Sequence, residues 1–168
     1  ENGAALSHHA FEMRQSIQMP TVAALNRTLE LVMSRGTGRS SPFSKLGVAG
    51  KTGTTNDNRD SWFAGFDNSH LSVVWVGRDD NKSTGLTGSS GALRVWNAMA
   101  RRNGIDPIVP MPSDDLVAIE YTSGARANER CADVVMLPVR APQSLQIKSG
   151  CKIKRSLGQR LKSIFTDE

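Results

Sequence analysis

From Pro20 onward, Val22, Leu25, Leu29 and Val32 recur three or four residues apart, which predicts a helix with one apolar face. Pro20 suits the first turn of that helix and Gly36 ends it. After a turn-rich stretch, 36–44, the pattern changes to apolar runs of strand length at 46–55, 61–66 and 71–77. Asn56, Asp57 and Asn58 separate the first pair, and Asp67 and Asn68 the second. Such residues favour tight turns, so the runs predict a three-stranded antiparallel meander. In the third run Leu71, Val73 and Trp75 face one way and Val74 and Val76 the other, which predicts cover on both faces of the sheet. A polar loop, 78–89, then leads to a second helix in which Ala92, Leu93, Trp96, Met99 and Ala100 share a face. Arg101 and Arg102 complement the dipole at its end, and Gly104 suits the cap.

The flanking segments carry weaker patterns. Phe11, Met13 and Ile17, with polar residues between them, suit an edge or connecting strand within 1–18. Pro107, Pro110 and Pro112 mark a linker, followed by strand-like stretches at 117–121 and 134–139 that suit a small appended lobe. Near the end, Leu157, Leu161, Ile164 and Phe165 share one helical face against a basic opposite face. That helix suits docking on its own protein, with a membrane surface or partner as the alternative. Strands followed by helices give an α+β class, an antiparallel sheet flanked by helices. The division expected is 1–104 for the main unit and 105–168 for a C-terminal extension.

Composition narrows the function classes. At 168 residues, 38% hydrophobic and 22% charged, the chain has the size of one domain with a real core. It begins at Glu1 and shows no charged-then-apolar leader or long apolar span, so a processed or excised piece is expected, with any membrane anchor outside it. The net charge of +5 comes from scattered basic residues, dense only at 148–162, and no basic-aromatic interleaving suits base stacking. A solvated surface is the favoured reading over nucleic-acid binding. Cys131 and Cys151 lack the spacing of a zinc site and permit one disulfide, which would stabilise the chain by roughly 3 kcal/mol on a loop-entropy argument. Two buried thiols are the alternative.

The segment Ala49-Gly50-Lys51-Thr52-Gly53-Thr54-Thr55 carries the chemistry. Gly-Lys-Thr also ends a phosphate-binding loop, but that loop needs a glycine where Lys45 stands, and a helix where turn formers follow Thr52. The other reading is the Lys-Thr-Gly element beside a serine nucleophile, a motif that closes an apolar strand. On a strand, Thr52 and Thr54 share one face and Lys51 and Gly53 the other. Lys51 supplies positive potential and a donor to a neighbouring hydroxyl, Thr52 and Thr55 offer hydroxyls to a terminal carboxylate, and Gly53 permits close backbone approach.

The surrounding runs extend the match. Arg35-Gly36-Thr37-Gly38-Arg39 before the motif, and Asp60-Ser61-Trp62-Phe63-Ala64-Gly65-Phe66 and Trp75-Val76-Gly77-Arg78-Asp79 after it, resemble in order and spacing the bifunctional class A penicillin-binding proteins, most of all their 1B type. The resemblance covers about 23–103 firmly and 137–145 more loosely. It implies the C-terminal portion of a penicillin-binding, β-lactamase-like transpeptidase fold. It further implies that the Thr54 backbone N–H is one oxyanion donor, a contribution of about 3 kcal/mol to a transition state. The family's reaction is acyl transfer through a serine acyl-enzyme on a peptidoglycan stem peptide, inhibited by β-lactam antibiotics and requiring no cofactor.

The chain departs from the family in one respect. A transpeptidase also needs a Ser-x-x-Lys, ahead of the Lys-Thr-Gly strand, and a Ser-x-Asn. The formal match Ser149-Gly150-Cys151-Lys152 comes after it and carries a helix-breaking glycine, and no Ser-x-Asn occurs. The expectation is therefore a piece without its own nucleophile, inactive alone, whose partner is the N-terminal remainder of its own transpeptidase domain. The parent is expected at the periplasmic face of the bacterial inner membrane, with a glycosyltransferase domain elsewhere. The alternatives are a serine β-lactamase piece or a non-catalytic binding or scaffold module. His8, His9 and His70 are given no catalytic role, Trp62, Trp75 and Trp96 are expected in the core rather than as a ligand platform, and Asp60 is expected to orient the turn after Thr55, with a distal site as the alternative.

Overall fold

The computed structural model describes residue 14 and residues 16–110 and 116–139. Its centre is an antiparallel meander of β1 (Ala49–Thr54), β2 (Ser61–Phe66) and β3 (Leu71–Val76), in the order β1-β2-β3. Helix α1 (Met19–Ser34) precedes the sheet and packs against β1, and α2 (Ala92–Asn103) follows it and packs against β2 and β3. The expected meander and both helices are present, with ends moved by a few residues.

The turns form where the polar residues predict them. Between β1 and β2, Asp57 and Asn58 take positive φ values of 60° and 53°, a region that short amide and carboxylate side chains tolerate. Between β2 and β3, the Asp67 carboxylate accepts the backbone N–H groups of Ser69 and His70 at 2.9 and 2.7 Å, and of Asp106 at 3.2 Å. Burial by itself pushes this carboxyl up, but the three N–H donors and the nearby His70 outweigh it and hold Asp67 below the ordinary value.

That carboxylate also explains why the proline-rich segment after α2 is not a free linker. Asn68 N–H donates to the Asp106 carbonyl at 2.8 Å and Ile108 N–H to the Gly47 carbonyl at 2.8 Å, so 106–108 is strapped across the ends of the sheet. Hydrogen bonds from Ser69 and Asn68 side chains likewise lower the Asp106 carboxyl.

The two faces of the sheet are unequal. One carries Phe63 and Val74, packed with Met33, Val48, Ala92, Leu93, Trp96 and Ala100 into the core. Phe63 and Trp96 meet edge to face with centroids 5.2 Å apart. The register pairs Trp62 with Trp75 and Ala64 with Val73 on the opposite face. There Trp62 is 41%, Trp75 49%, Val73 60% and Leu71 74% exposed, with no described residue covering them. The expectation of cover on both faces is corrected: period-two alternation marks two apolar faces but cannot say whether the cover belongs to the same chain. Trp96 is core as expected; Trp62 and Trp75 are surface.

Helix α1 is likewise not a single-stripe helix. Leu25 is exposed and only Met33 is fully buried, because α1 is shared between β1 and β5 rather than laid on one partner. In α2, Met99 is exposed and the rest of the expected face is buried. The second sheet is the hairpin β4 (Leu116–Glu120) and β5 (Val134–Pro138). Arg35 ties it to the end of α1, pairing with Asp133 at 2.6 Å and lying 5.3 Å from the centre of the Tyr121 ring. Of the expected strand in 1–18, Phe11 and Met13 lie outside the described residues and Ile17 is an exposed bend. The expected terminal helix also lies outside them.

Candidate functional site

β1 is the edge strand of its sheet, and its register decides which backbone groups are free. Thr55 N–H donates to the Asp60 carbonyl at 3.1 Å, which makes Thr55 and Asp60 a hydrogen-bonded pair. In an antiparallel ladder such pairs alternate with pairs whose N–H and C=O groups point away. Counting back along the register, Gly53 and Lys51 bond to β2, while Thr54 and Thr52 direct their backbone groups to the open edge. The Lys51 ammonium folds back on that edge, donating to the Thr52 carbonyl at 2.8 Å.

The side chains divide as alternation requires. Lys51 and Gly53 share a face with Trp62 and Ala64, on the bare side. Thr52 and Thr54 lie on the other face. Thr52 is 9% exposed and its Oγ1 lies 2.6 Å from Thr37 Oγ1. Thr54 Oγ1 accepts the Gly88 N–H at 2.9 Å. A side chain at position 88 would sit 2.6 Å from the Gly53 carbonyl oxygen and 2.8 Å from the Thr52 Cβ, so only glycine lets this loop lie on the strand. Thr55 points the opposite way: its hydroxyl donates to Asp60 Oδ2 at 3.0 Å and accepts the Asp60 N–H at 2.8 Å. Asp60 thus orients the turn as expected, and its other oxygen accepts the Trp75 indole N–H at 3.0 Å. Thr52 and Thr55 therefore do not converge on one face, whereas Thr37, Thr52 and Thr54 gather beside one another.

The loop carrying Gly88 is anchored by a residue that sequence reasoning missed. Ser61, fully buried at the start of β2, donates to the Thr87 carbonyl and accepts the Ala92 N–H, both at 2.8 Å. It caps α2 from another strand, where the local cap residue Gly91 has no side chain to do so. No local pattern reveals a cap 31 residues distant in sequence. Thr37, within the run Arg35-Gly36-Thr37-Gly38-Arg39, likewise reaches Thr52 only through the fold, which no local pattern reveals.

The remaining candidates lie elsewhere. Cys131 is 3% exposed and disulfide-bonded; Cys151 lies outside the described residues. His70 sits in the β2–β3 turn, 3.4 Å from Asp67, and His8 and His9 are not among the described residues. Among the described residues, no group of three metal-ligating side chains occurs and no helix is long and apolar enough to cross a membrane. The edge of β1 thus offers outward N–H groups, two threonine hydroxyls and a cation to an extended anionic ligand.

Comparison with known proteins yields consistent matches. The chain is 44% identical over 100 residues to penicillin-binding protein 1B of Haemophilus influenzae, 58% of this chain and 12% of that one. Identity to penicillin-binding protein 1B of Vibrio cholerae is 59% over 66 residues, 38% of this chain and 8% of that one. For penicillin-binding protein 1B of Escherichia coli it is 43% over 98 residues, 56% and 12%. The chain therefore spans only about a tenth of the length of these relatives. The crystal structure of penicillin-binding protein 1A from Haemophilus influenzae superposes with a TM-score of 0.50 at 22% identity, over 78% of this chain and 20% of that one. That likeness bears out the fold expected from the sequence. No family model matches.

Proposed function

From the premise that this chain is a segment of the class A penicillin-binding protein family, most like its 1B members, we propose that it is the substrate-binding wall of a peptidoglycan D,D-transpeptidase. The observation that carries this reading is the open edge of β1, where the Thr54 N–H points outward beside the hydroxyls of Thr52 and Thr54. Thr54 N–H serves as an oxyanion donor, the hydroxyls bind the terminal carboxylate of a stem peptide or the matching carboxylate of a β-lactam, and Lys51 adds positive potential. A donor placed where charge develops contributes about 3 kcal/mol, but only once a nucleophile is present.

The nucleophile is supplied by the rest of the parent polypeptide. The serine attacks the carbonyl of a D-Ala-D-Ala bond, D-alanine leaves, and an amine takes the acyl group; water as acceptor gives carboxypeptidase activity. Supporting this division, the bare face bearing Trp62, Val73 and Trp75 adjoins Lys51, where a covering layer would bring catalytic groups within reach. The parent's glycosyltransferase activity, its anchor and its place at the periplasmic face of the inner membrane belong to the same proposal.

Labelling with a fluorescent penicillin tests it. The isolated chain is expected to stay unlabelled, and a longer polypeptide that contains it is expected to carry the label. Labelling of the isolated chain, or none of the parent, would overturn the reading.

A further inference from the structure

Thr37 occupies an odd position for an exposed loop residue: its hydroxyl is turned inward, 2.6 Å from the hydroxyl of buried Thr52. The loop leaves it little choice. Gly36 N–H bonds back to the Leu31 and Val32 carbonyls, each at 3.1 Å, and Gly38 N–H to the Val32 carbonyl at 3.0 Å. A Cβ on Gly36 would lie 2.9 Å from the Val32 oxygen, and one on Gly38 would lie 2.5 Å from the Met33 sulfur. Thr37 is thus pinned between two glycines pressed against the end of α1, with its side chain reaching β1.

A hydroxyl has one proton and two lone pairs, so in such a pair one oxygen must donate and the other accept. If Thr52 donated to Thr37, it would have no proton left for a ligand. If Thr37 donates, the Thr52 proton is free, and bonding to an anion strengthens both links of the chain. An anion at the open edge, next to the Lys51 ammonium, selects the second arrangement. We propose that Thr37 is a positioning residue: its hydroxyl donates to Thr52 and so presents the Thr52 proton to the carboxylate of the ligand. This rests on the acyl-transfer reading above and assigns part of its carboxylate recognition to a residue outside the Lys-Thr-Gly motif.

The test uses the longer parent polypeptide and two probes, a penicillin with its free carboxylate and the methyl ester of the same compound. Acylation of the unaltered parent by the free acid is measured first; its absence defeats the acyl-transfer reading and this proposal together. Given acylation, Thr37→Val is expected to lower the second-order rate constant for the free acid about tenfold, through weaker binding rather than a slower maximal rate. The ester should change by less than about twofold, and Thr37→Ser should recover most of the loss. Combining Thr37→Val with Thr52→Val should cost no more than Thr52→Val alone. Thr37→Ala is read in the same way should valine crowd the loop. An unchanged rate for the free acid, or equal losses on acid and ester, overturns the role of Thr37 and leaves the acyl-transfer reading standing.

Discussion

Replacing Ser61 by alanine removes a single oxygen from the interior, and its cost follows from what that oxygen holds. Ser61 and Ala92 are both fully buried, so water cannot take the place of the hydroxyl. The two bonds lost are not equivalent. The Thr87 carbonyl still accepts the N–H groups of Gly91 at 2.9 Å and Ser90 at 3.2 Å, and loses only a share of its bonding, about 0.5 kcal/mol. The Ala92 N–H has Ser61 as its bonding partner at 2.8 Å and is left buried and unpaired, which costs about 1–3 kcal/mol. The expected loss is therefore about 1.5–3.5 kcal/mol, a substantial part of the stability of a domain this size. Urea unfolding of the chain, followed by far-ultraviolet circular dichroism, measures it directly. Ser89→Ala, which removes a hydroxyl bonded only to an exposed threonine, serves as control and should cost less than about 0.5 kcal/mol. If the two variants unfold at the same urea concentration, the Ser61 hydroxyl is not a structural support of α2.

Acid should unfold the chain in part through Asp67. Its folded-state value lies below the ordinary 3.8, so its stabilisation is complete above that value and is lost as pH falls through the lowered one. Asp67→Asn should reduce stability at neutral pH and show a shallower decline than the parent chain between about pH 5 and about pH 2, as measured by unfolding at each pH. On the bare face, Val73→Lys places a charge on a residue already 60% exposed, so the isolated chain should lose less than about 0.5 kcal/mol. In the longer polypeptide the same change should sharply lower penicillin labelling or soluble yield; full labelling would mean that nothing covers this face.

What could be read from the sequence was what local chemistry decides. The meander was legible because strand alternation and the Asn56-Asp57-Asn58 and Asp67-Asn68 turns act over a few residues, and α2 because its apolar spacing coincides with its contacts. Lys51, Thr52, Gly53 and Thr54 were legible as a strand motif, and alternation correctly set Thr52 and Thr54 apart from Lys51. Thr55 belongs to the turn and bonds to Asp60, a consequence of where the strand ends that spacing alone does not give. Features that join distant segments were not legible: the Ser61 cap, the Thr37–Thr52 pair, the strap at 106–108 and the docking of Arg35 on Asp133 and Tyr121. Each depends on geometry assembled from several elements, to which periodicity is blind.

The pairing of Trp62 with Trp75 gives the molecule an optical gauge of its own completeness. Their ring centres lie 6.2 Å apart, close enough for the indole transitions to couple, and both rings face solvent while Trp96 stays buried as a constant background. Any layer laid across that face must take water from these two indoles while leaving the third unchanged. Their emission would move to the blue as it arrived, so assembly of the site could be timed by intrinsic light alone, with no label near the open edge of β1.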